Sequence, residues 1–74
     1  MDSSKNSKIG KINGKNIQRL RKEQSLSQAA VAKKAGIKTN YFAVIERGEV
    51  TTNSGYLLKI SQALGVEISE LYKS

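Results

Sequence analysis

The chain has 74 residues, enough for one small domain, and it contains no cysteine and no histidine. Disulfide bridges are therefore excluded, and the usual metal ligands and the side chains most used for base or nucleophilic catalysis are missing. Thirteen Lys and Arg residues against six Asp and Glu residues give a net charge of +7, which favours a polyanionic partner.

The composition predicts neither an enzyme nor a membrane protein. The six acidic residues form no obvious ligand cluster, and no glycine-rich phosphate loop is present. No apolar run approaches the roughly 18 residues that span a bilayer, and the amino end lacks a hydrophobic signal segment. We therefore expect a cytoplasmic protein with no metal, no cofactor and no membrane partner.

The positive charge is concentrated near the amino end. Residues 1–22 hold seven of the 13 basic residues and one of the six acidic ones, a net +6. Residues 1–13, MDSSKNSKIGKIN, are polar and aperiodic, so we expect a disordered basic arm in front of a folded domain at 14–74. Such an arm suits DNA, RNA or an anionic membrane surface, although a solubilising tail has the same composition.

Helical periodicity begins at Lys15 and predicts two helices in succession. Ile17 and Leu20 mark the inner stripe of the first helix. Ser27 is the predicted N-cap of the second helix, which runs from Gln28 to Lys34. Its alanine-rich surface allows another helix to approach closely.

A tight turn separates the second helix from a third, predicted from about Thr39 to Arg47. Gly36 supplies the left-handed cap that the second helix needs, because glycine adopts this conformation without steric cost. Phe42 and Ile45, three residues apart, form the inner face of the third helix. Gly48 ends it.

Two further helices complete the pattern. Three large apolar residues share one stripe of the fourth helix: Leu57, Ile60 and Leu64. Either Asn53 or Ser54 caps its start, and Gly65 ends it. A last short helix follows at Ile68 to Tyr72. With no strand signal, the sequence predicts an all-α fold, a compact bundle of five short helices that contains a helix-turn-helix.

Two segments of this pattern, LSQAAVAKKAGIKTNYFAVIERG and YLLKISQALGVEISELY, resemble the helix-turn-helix domain of the phage repressor and Cro type, the XRE family. The resemblance covers about Asn16 to Tyr72. It rests on Leu-Ser-Gln opening the second helix, Ala-Gly-Ile in the turn, Ile-Glu-Arg-Gly closing the third helix and Ala-Leu-Gly-Val after the fourth. Their order and spacing together are specific.

The resemblance implies that the third helix lies in the major groove of DNA as the recognition helix. Side chains at its exposed start can reach base edges, and a valine one turn later can touch a thymine methyl. The expected base contacts are Thr39, Asn40 and Val44. The expected phosphate contacts are Gln28, Lys38, Tyr41, Arg47, Thr51, Thr52 and Asn53.

Several of these residues have competing structural roles. Thr39 can serve only as a cap, Asn40 can be merely solvated, and Tyr41 is ambiguous between a packing ring and a phosphate-binding hydroxyl. Lys38 stands where the family often has a small capping hydroxyl, which weakens the cap by ~1 kcal/mol but adds a charge. The usual Asn-Pro-Ser-Leu before the fourth helix is replaced by TTNS, so we expect a looser loop.

The resemblance also implies an internal ion pair between Arg21 of the first helix and Glu46 of the recognition helix. We assign this pair a structural role. Removing one partner should cost more than the pair contributes, because the other charge is left partly buried.

The function that follows is sequence-specific DNA-binding transcriptional regulation, with repression as the main interpretation. One recognition helix reads only about four or five base pairs, so specificity requires a homodimer on a near-palindromic operator. The apolar residues available for a dimer surface are Val66, Ile68 and Tyr72, although they can instead close the monomer core, the role we prefer for Leu71.

Other functions fit the same resemblance. A controller protein of a restriction-modification system and an antitoxin that silences its own operon carry this type of domain. From another class, a protein-interaction adaptor can keep the fold without reading DNA. Lys38 and the basic first helix argue against the adaptor.

Overall fold

A computed structural model of the chain describes residues 3–74, with side chains from residue 8 onward. The elements are α1 (Ser3–Glu23), α2 (Gln28–Ala35), α3 (Thr39–Glu46), α4 (Ser54–Leu64) and a 3₁₀ helix at Ile68–Tyr72. The described part of the chain contains no strand, which confirms the all-α prediction. The count of five short helices is inexact, because α1 has 21 residues and the last element is a 3₁₀ helix.

Helix α1 begins well before the predicted start. The expectation of a disordered arm at 1–13 is wrong for residues 3–13, which are helical, while residues 1 and 2 lie outside the described part. Gly10 and Gly14 allow α1 to lie directly against backbone, since a Cβ atom at either position would overlap the carbonyl oxygen of Val50 or Glu46. These contacts anchor the amino-terminal half of α1. They are made by glycines, so a search for apolar periodicity in the sequence does not detect them.

Buried polar side chains fasten α1 to the carboxyl-terminal segment. Asn13 is 1% exposed, and its Nδ2 donates a 2.7 Å hydrogen bond to the carbonyl oxygen of Leu71. One turn later, Asn16 Nδ2 donates to the carbonyl oxygen of Lys73 at 2.7 Å. Because buried polar groups are costly without partners, these two bonds fix α1 against the 3₁₀ helix.

Helices α2, α3 and α4 end in the same Schellman arrangement, with a glycine in the left-handed region. The glycines are Gly36, Gly48 and Gly65, with φ of 73°, 75° and 72°. In each case the next residue donates its N–H to a carbonyl five residues back: Ile37 to Ala32 at 2.9 Å, Glu49 to Val44 at 3.2 Å and Val66 to Ser61 at 3.0 Å. The predicted helix ends hold within one residue.

The side-chain caps of α2 and α4 are the predicted ones. Ser27 Oγ accepts a 3.0 Å hydrogen bond from the Ala30 N–H, and Asn53 Oδ1 accepts one of 2.9 Å from the Tyr56 N–H. Asn53, rather than Ser54, is therefore the cap of α4. Both caps satisfy backbone donors that a helix start otherwise leaves unpaired.

The core is made by the inner faces of all five elements. Its largest fully buried apolar side chains are Phe42, Ile17, Ile45, Leu57, Ile60, Leu71 and Val31. Leu71 thus has the core role that the sequence favours. No helix within residues 3–74 is both long and apolar enough to cross a membrane.

Candidate nucleic-acid interface

The α2-turn-α3 unit holds α3 at the surface with one face inward and one outward. Phe42 and Ile45 are buried in the core. On the opposite side, Asn40 and Arg47 are exposed and Val44 is half-buried between them. Spacings of four and three residues place these three side chains on one stripe of the helix. Thr39 is also exposed, at the start of α3.

Lys38 is the N-cap residue of α3 and makes no side-chain cap hydrogen bond, so the weak cap predicted for this position is present. Lys38 is exposed, and its charge adds to that of the first-turn N–H groups without a side-chain cap, so this end of α3 is positive. Lys38 also borders a shallow cleft with Tyr41, Tyr56 and Lys59. The Lys59 Nζ atom lies 5.7 Å from the centroid of the Tyr56 ring.

Tyr41 and Thr52 bond to each other. The Tyr41 hydroxyl lies 3.0 Å from Thr52 Oγ1, and the Tyr41 ring packs edge-on against Tyr56 with centroids 5.1 Å apart. Thr52 is buried, and Tyr41 packs against the core cluster, so the packing role of Tyr41 is present. Because one hydroxyl donates to the other, one of the two hydroxyl protons remains for a phosphate, and the predicted contacts of both residues stay predictions.

The Arg21–Glu46 ion pair is present and is part of a larger network. Arg21 Nε donates to Glu46 Oε2 at 2.6 Å and Nη2 to Oε1 at 3.1 Å, with side-chain exposures of 12% and 1%. Arg21 Nη1 also donates to the Leu26 carbonyl at 2.9 Å. Gln28 Nε2 donates to Glu46 Oε1 at 2.5 Å. One N–H of Gln28 is thus used internally, and its other N–H is left for the predicted phosphate contact.

The loop after α3 carries the remaining predicted phosphate contacts. Arg47 and Glu49 form an exposed ion pair, with Nε 2.7 Å from Oε2. Hydrogen bonding to Arg47 lowers the pKa of the Glu49 carboxyl, and the same bond raises the pKa of Arg47. Thr51 and Asn53 are exposed. Because the Asn53 cap uses its Oδ1 atom, the amide nitrogen stays available as a donor.

Sequence comparison places this arrangement in a known family. A helix-turn-helix family model matches residues 17–71, which is most of the chain and includes the α2-turn-α3 unit. The chain belongs to the Cro/C1-type (XRE) helix-turn-helix family. The resemblance read from the sequence motifs is therefore confirmed.

Three relatives of this helix-turn-helix protein are similar over most of its length. An uncharacterised HTH-type transcriptional regulator of Sinorhizobium fredii is 38% identical over 61 residues, 82% of this chain and 79% of that protein. The control protein C.MunI of a Mycoplasma species is 37% identical, covering 80% of this chain and 81% of that protein. The immunity repressor of Bacillus phage phi105 is 34% identical over 78% of this chain, which is 40% of the repressor.

A solved structure has the same architecture as this helix-turn-helix chain. The restriction-modification controller protein C.AhdI of Aeromonas hydrophila superposes with a TM-score of 0.81 and 30% sequence identity. The superposition covers 85% of this chain and 96% of that protein. The similar proteins with an assigned role are named as regulators, repressors or controllers, not as enzymes.

The family match begins at Ile17, so residues 3–16 of α1 lie outside it. This part of α1 carries a candidate contact residue, Lys11, that the sequence motifs did not indicate. A Cβ atom on Gly48 would lie 2.8 Å from Lys11 Cγ, which places the exposed Lys11 side chain against the loop that follows α3. The sequence feature that indicates this contact is the spacing of Gly10 and Gly14, because two glycines four residues apart leave one face of a helix without side chains.

The residues named for a dimer surface differ in exposure. Val66 and Ile68 are half-buried and pack against the core cluster, whereas Tyr72 is 48% exposed. Ile9 of α1, which is 43% exposed, and Leu58 of α4, which is 47% exposed, are the other large apolar side chains at the described surface.

Proposed function

We propose that this protein is a sequence-specific transcriptional repressor that binds a near-palindromic operator as a homodimer. The observation that carries the proposal is the outward stripe of α3, where Asn40, Val44 and Arg47 project from a helix whose other face is fixed in the core. A short helix held in this way fits the major groove and presents its first turns to base edges.

Within this proposal, base reading belongs to three residues of α3: Thr39, Asn40 and Val44. The Asn40 amide matches the donor and acceptor pattern of adenine, and the Val44 methyl groups suit a thymine methyl. Phosphate binding belongs to side chains around this stripe: Gln28, Lys38, Tyr41, Arg47, Thr51, Thr52 and Asn53. These contacts set the register of the helix on the duplex without reading its sequence.

Lys11 adds one phosphate contact to this set. Its side chain lies against the loop at Gly48, next to Arg47, and it is exposed. A Lys11→Gln substitution should weaken binding to every sequence and reduce the salt slope by about 0.9. Lys15→Gln is the matched control, because Lys15 lies one turn along α1 and lines a cleft near the carboxyl end that includes Lys73. Equal effects of both changes would remove Lys11 from the interface.

The proposed dimer uses the surface formed by Val66, Ile68 and Tyr72. Tyr72 is the test position, since it is the most exposed of the three and its substitution leaves the core intact. Tyr72→Glu should raise the dimer dissociation constant in sedimentation equilibrium, because a charge is placed in an apolar interface. An unchanged dimer would move the interface elsewhere.

A second candidate is the controller of a restriction-modification system. The similarity to C.MunI and to the C.AhdI structure favours it, since each covers four fifths or more of both chains. A promoter fusion to the gene of this protein separates the two: a repressor lowers expression at all concentrations of the protein. A controller that also activates would raise expression at low concentration.

The experiment that tests the proposed function is selection of bound sequences from a random duplex pool at low and near-physiological salt. A motif with two-fold symmetry that survives the higher salt is the expected result. Asn40→Ala and Val44→Ala should then relax the preference at single positions of each half-site. Salt-sensitive binding without a sequence motif would contradict the proposed repressor function. Absence of DNA binding would favour the protein-interaction adaptor.

A further inference from the structure

Arg47 is held by a carboxylate at the end of the outward stripe of α3. Its Nε lies 2.7 Å from Glu49 Oε2, and its Nη2 lies 3.3 Å from Glu49 Oε1. This two-pronged geometry is the one by which a guanidinium binds a phosphate. Both side chains are more than half exposed, at 54% and 53%, so the guanidinium of Arg47 is accessible from solvent.

The backbone of α3 fixes the position of Glu49. Glu49 follows the cap glycine Gly48 and donates its N–H to the Val44 carbonyl at 3.2 Å. The carboxylate is thereby presented beside Arg47, which is the C-cap residue of the same helix. The backbone geometry at the end of α3 therefore places Arg47 and Glu49 next to each other.

An acidic residue is unusual at this position of the cap. The Schellman arrangement commonly places an apolar residue after its glycine, and the equivalent residues of the other two caps are Ile37 and Val66, which pack on the core. A negative charge at the carboxyl end of a helix also opposes the helix dipole. Stability alone does not account for Glu49, and this points to an effect on binding.

We propose that Glu49 is an internal substitute for a DNA phosphate. Glu49 holds Arg47 in the free protein, and on binding Arg47 leaves Glu49 for a phosphate of the duplex. This inference rests on the proposed DNA-binding function. Because the contact is with phosphate, Glu49 lowers affinity for all sequences alike and leaves discrimination to the bases. An exposed ion pair is weak enough to be exchanged at modest cost.

The direct test is Glu49→Gln, measured by fluorescence anisotropy on the selected operator and on a duplex of unrelated sequence. We expect binding about two- to fivefold tighter on both duplexes, the range that the strength of an exposed ion pair allows. Glu23→Gln is the control, since it removes the same charge from another exposed ion pair, the one with Arg19, outside the proposed dimer surface. It should change affinity by less than the first variant.

The double variant Arg47→Gln/Glu49→Gln decides the mechanism. If Glu49 acts by holding Arg47, the gain from Glu49→Gln disappears when Arg47 is absent. A gain that persists in the Arg47→Gln background would overturn the proposal in favour of simple repulsion between Glu49 and DNA. An unchanged affinity of Glu49→Gln would overturn it outright. If the unmodified protein binds neither duplex, the proposed function fails first and the inference with it.

Discussion

Arg21 Nε lies 2.6 Å from Glu46 Oε2, and this contact ties α1 to the last residue of α3. Glu46 also accepts from Gln28 at the start of α2, so one buried carboxylate joins three helices. The residue that follows it is Arg47, on the outward stripe. The ion pair therefore sets the orientation of the proposed DNA-contact face relative to the core.

The first prediction concerns this ion pair. Arg21→Ala should lower the free energy of unfolding by about 3 kcal/mol, because the carboxylate of Glu46, 1% exposed, loses its cation. Arg19→Ala is the matched control on the same helix: its pair with Glu23 is exposed and should cost no more than about 0.5 kcal/mol. Urea-induced unfolding measures both variants. Equal losses would show that burial of the pair is unimportant.

The second prediction concerns the contact between α1 and the end of α3. Gly14→Ala should lower the free energy of unfolding by about 2 kcal/mol, because the added methyl overlaps backbone oxygens of Ile45 and Glu46 that cannot move independently. Gly55→Ala is the control, since its Cβ would meet only Asn53 Oδ1, at 3.2 Å. Its effect should be smaller than that of Gly14→Ala. A Gly14→Ala variant as stable as the parent would contradict the close packing.

Four helix ends after α1 can be predicted from the sequence, because each of these four depends on one local residue type. Ser27 caps through its hydroxyl, and Gly36, Gly48 and Gly65 adopt a φ that other residues reach only with strain. Such signals act within a turn of the residue that carries them. The family motifs consist largely of these same positions, so pattern and local physics agree.

The start of α1 is not readable in this way, because its contacts are long-range and polar. Asn13 bonds to a residue 58 positions away, and Gly10 contributes by lacking a side chain. A search for apolar periodicity treats both Asn13 and Gly10 as indications of disorder. The candidate site shows the same limit: the sequence predicted a phosphate contact for Arg47, but no motif indicated its ion-pair partner Glu49.

The third prediction is a pH dependence of the Arg47–Glu49 pair. The hydrogen bond from Arg47 lowers the Glu49 pKa in the folded state, so the pair stabilises the fold above the unfolded pKa of about 4.3. That contribution is lost as the pH falls through the lower folded value. The stability difference between the parent and Glu49→Gln should be constant from about pH 6 to 8 and vanish in stronger acid.

Urea unfolding across a pH series checks this dependence. The chain has no histidine, so no side chain with an ordinary pKa near 6.5 titrates within that interval. Glu67→Gln provides the comparison for a charge removed elsewhere. A difference between the parent and Glu49→Gln that grows in acid would reverse the sign and contradict the assigned pair.

The fourth prediction separates stability from binding at Lys38. Lys38→Ser should raise the free energy of unfolding by about 1 kcal/mol, because a hydroxyl can cap the α3 start that Lys38 leaves uncapped. The same change should weaken DNA binding at every sequence and reduce the salt slope by about 0.9, since one phosphate-seeking charge is lost. Lys38→Gln removes the charge without adding a good cap, so it should reproduce the loss of affinity without the gain in stability. If Lys38→Ser leaves the salt slope unchanged, Lys38 does not contact phosphate, and the first turn of α3 must hold the backbone through its N–H groups alone.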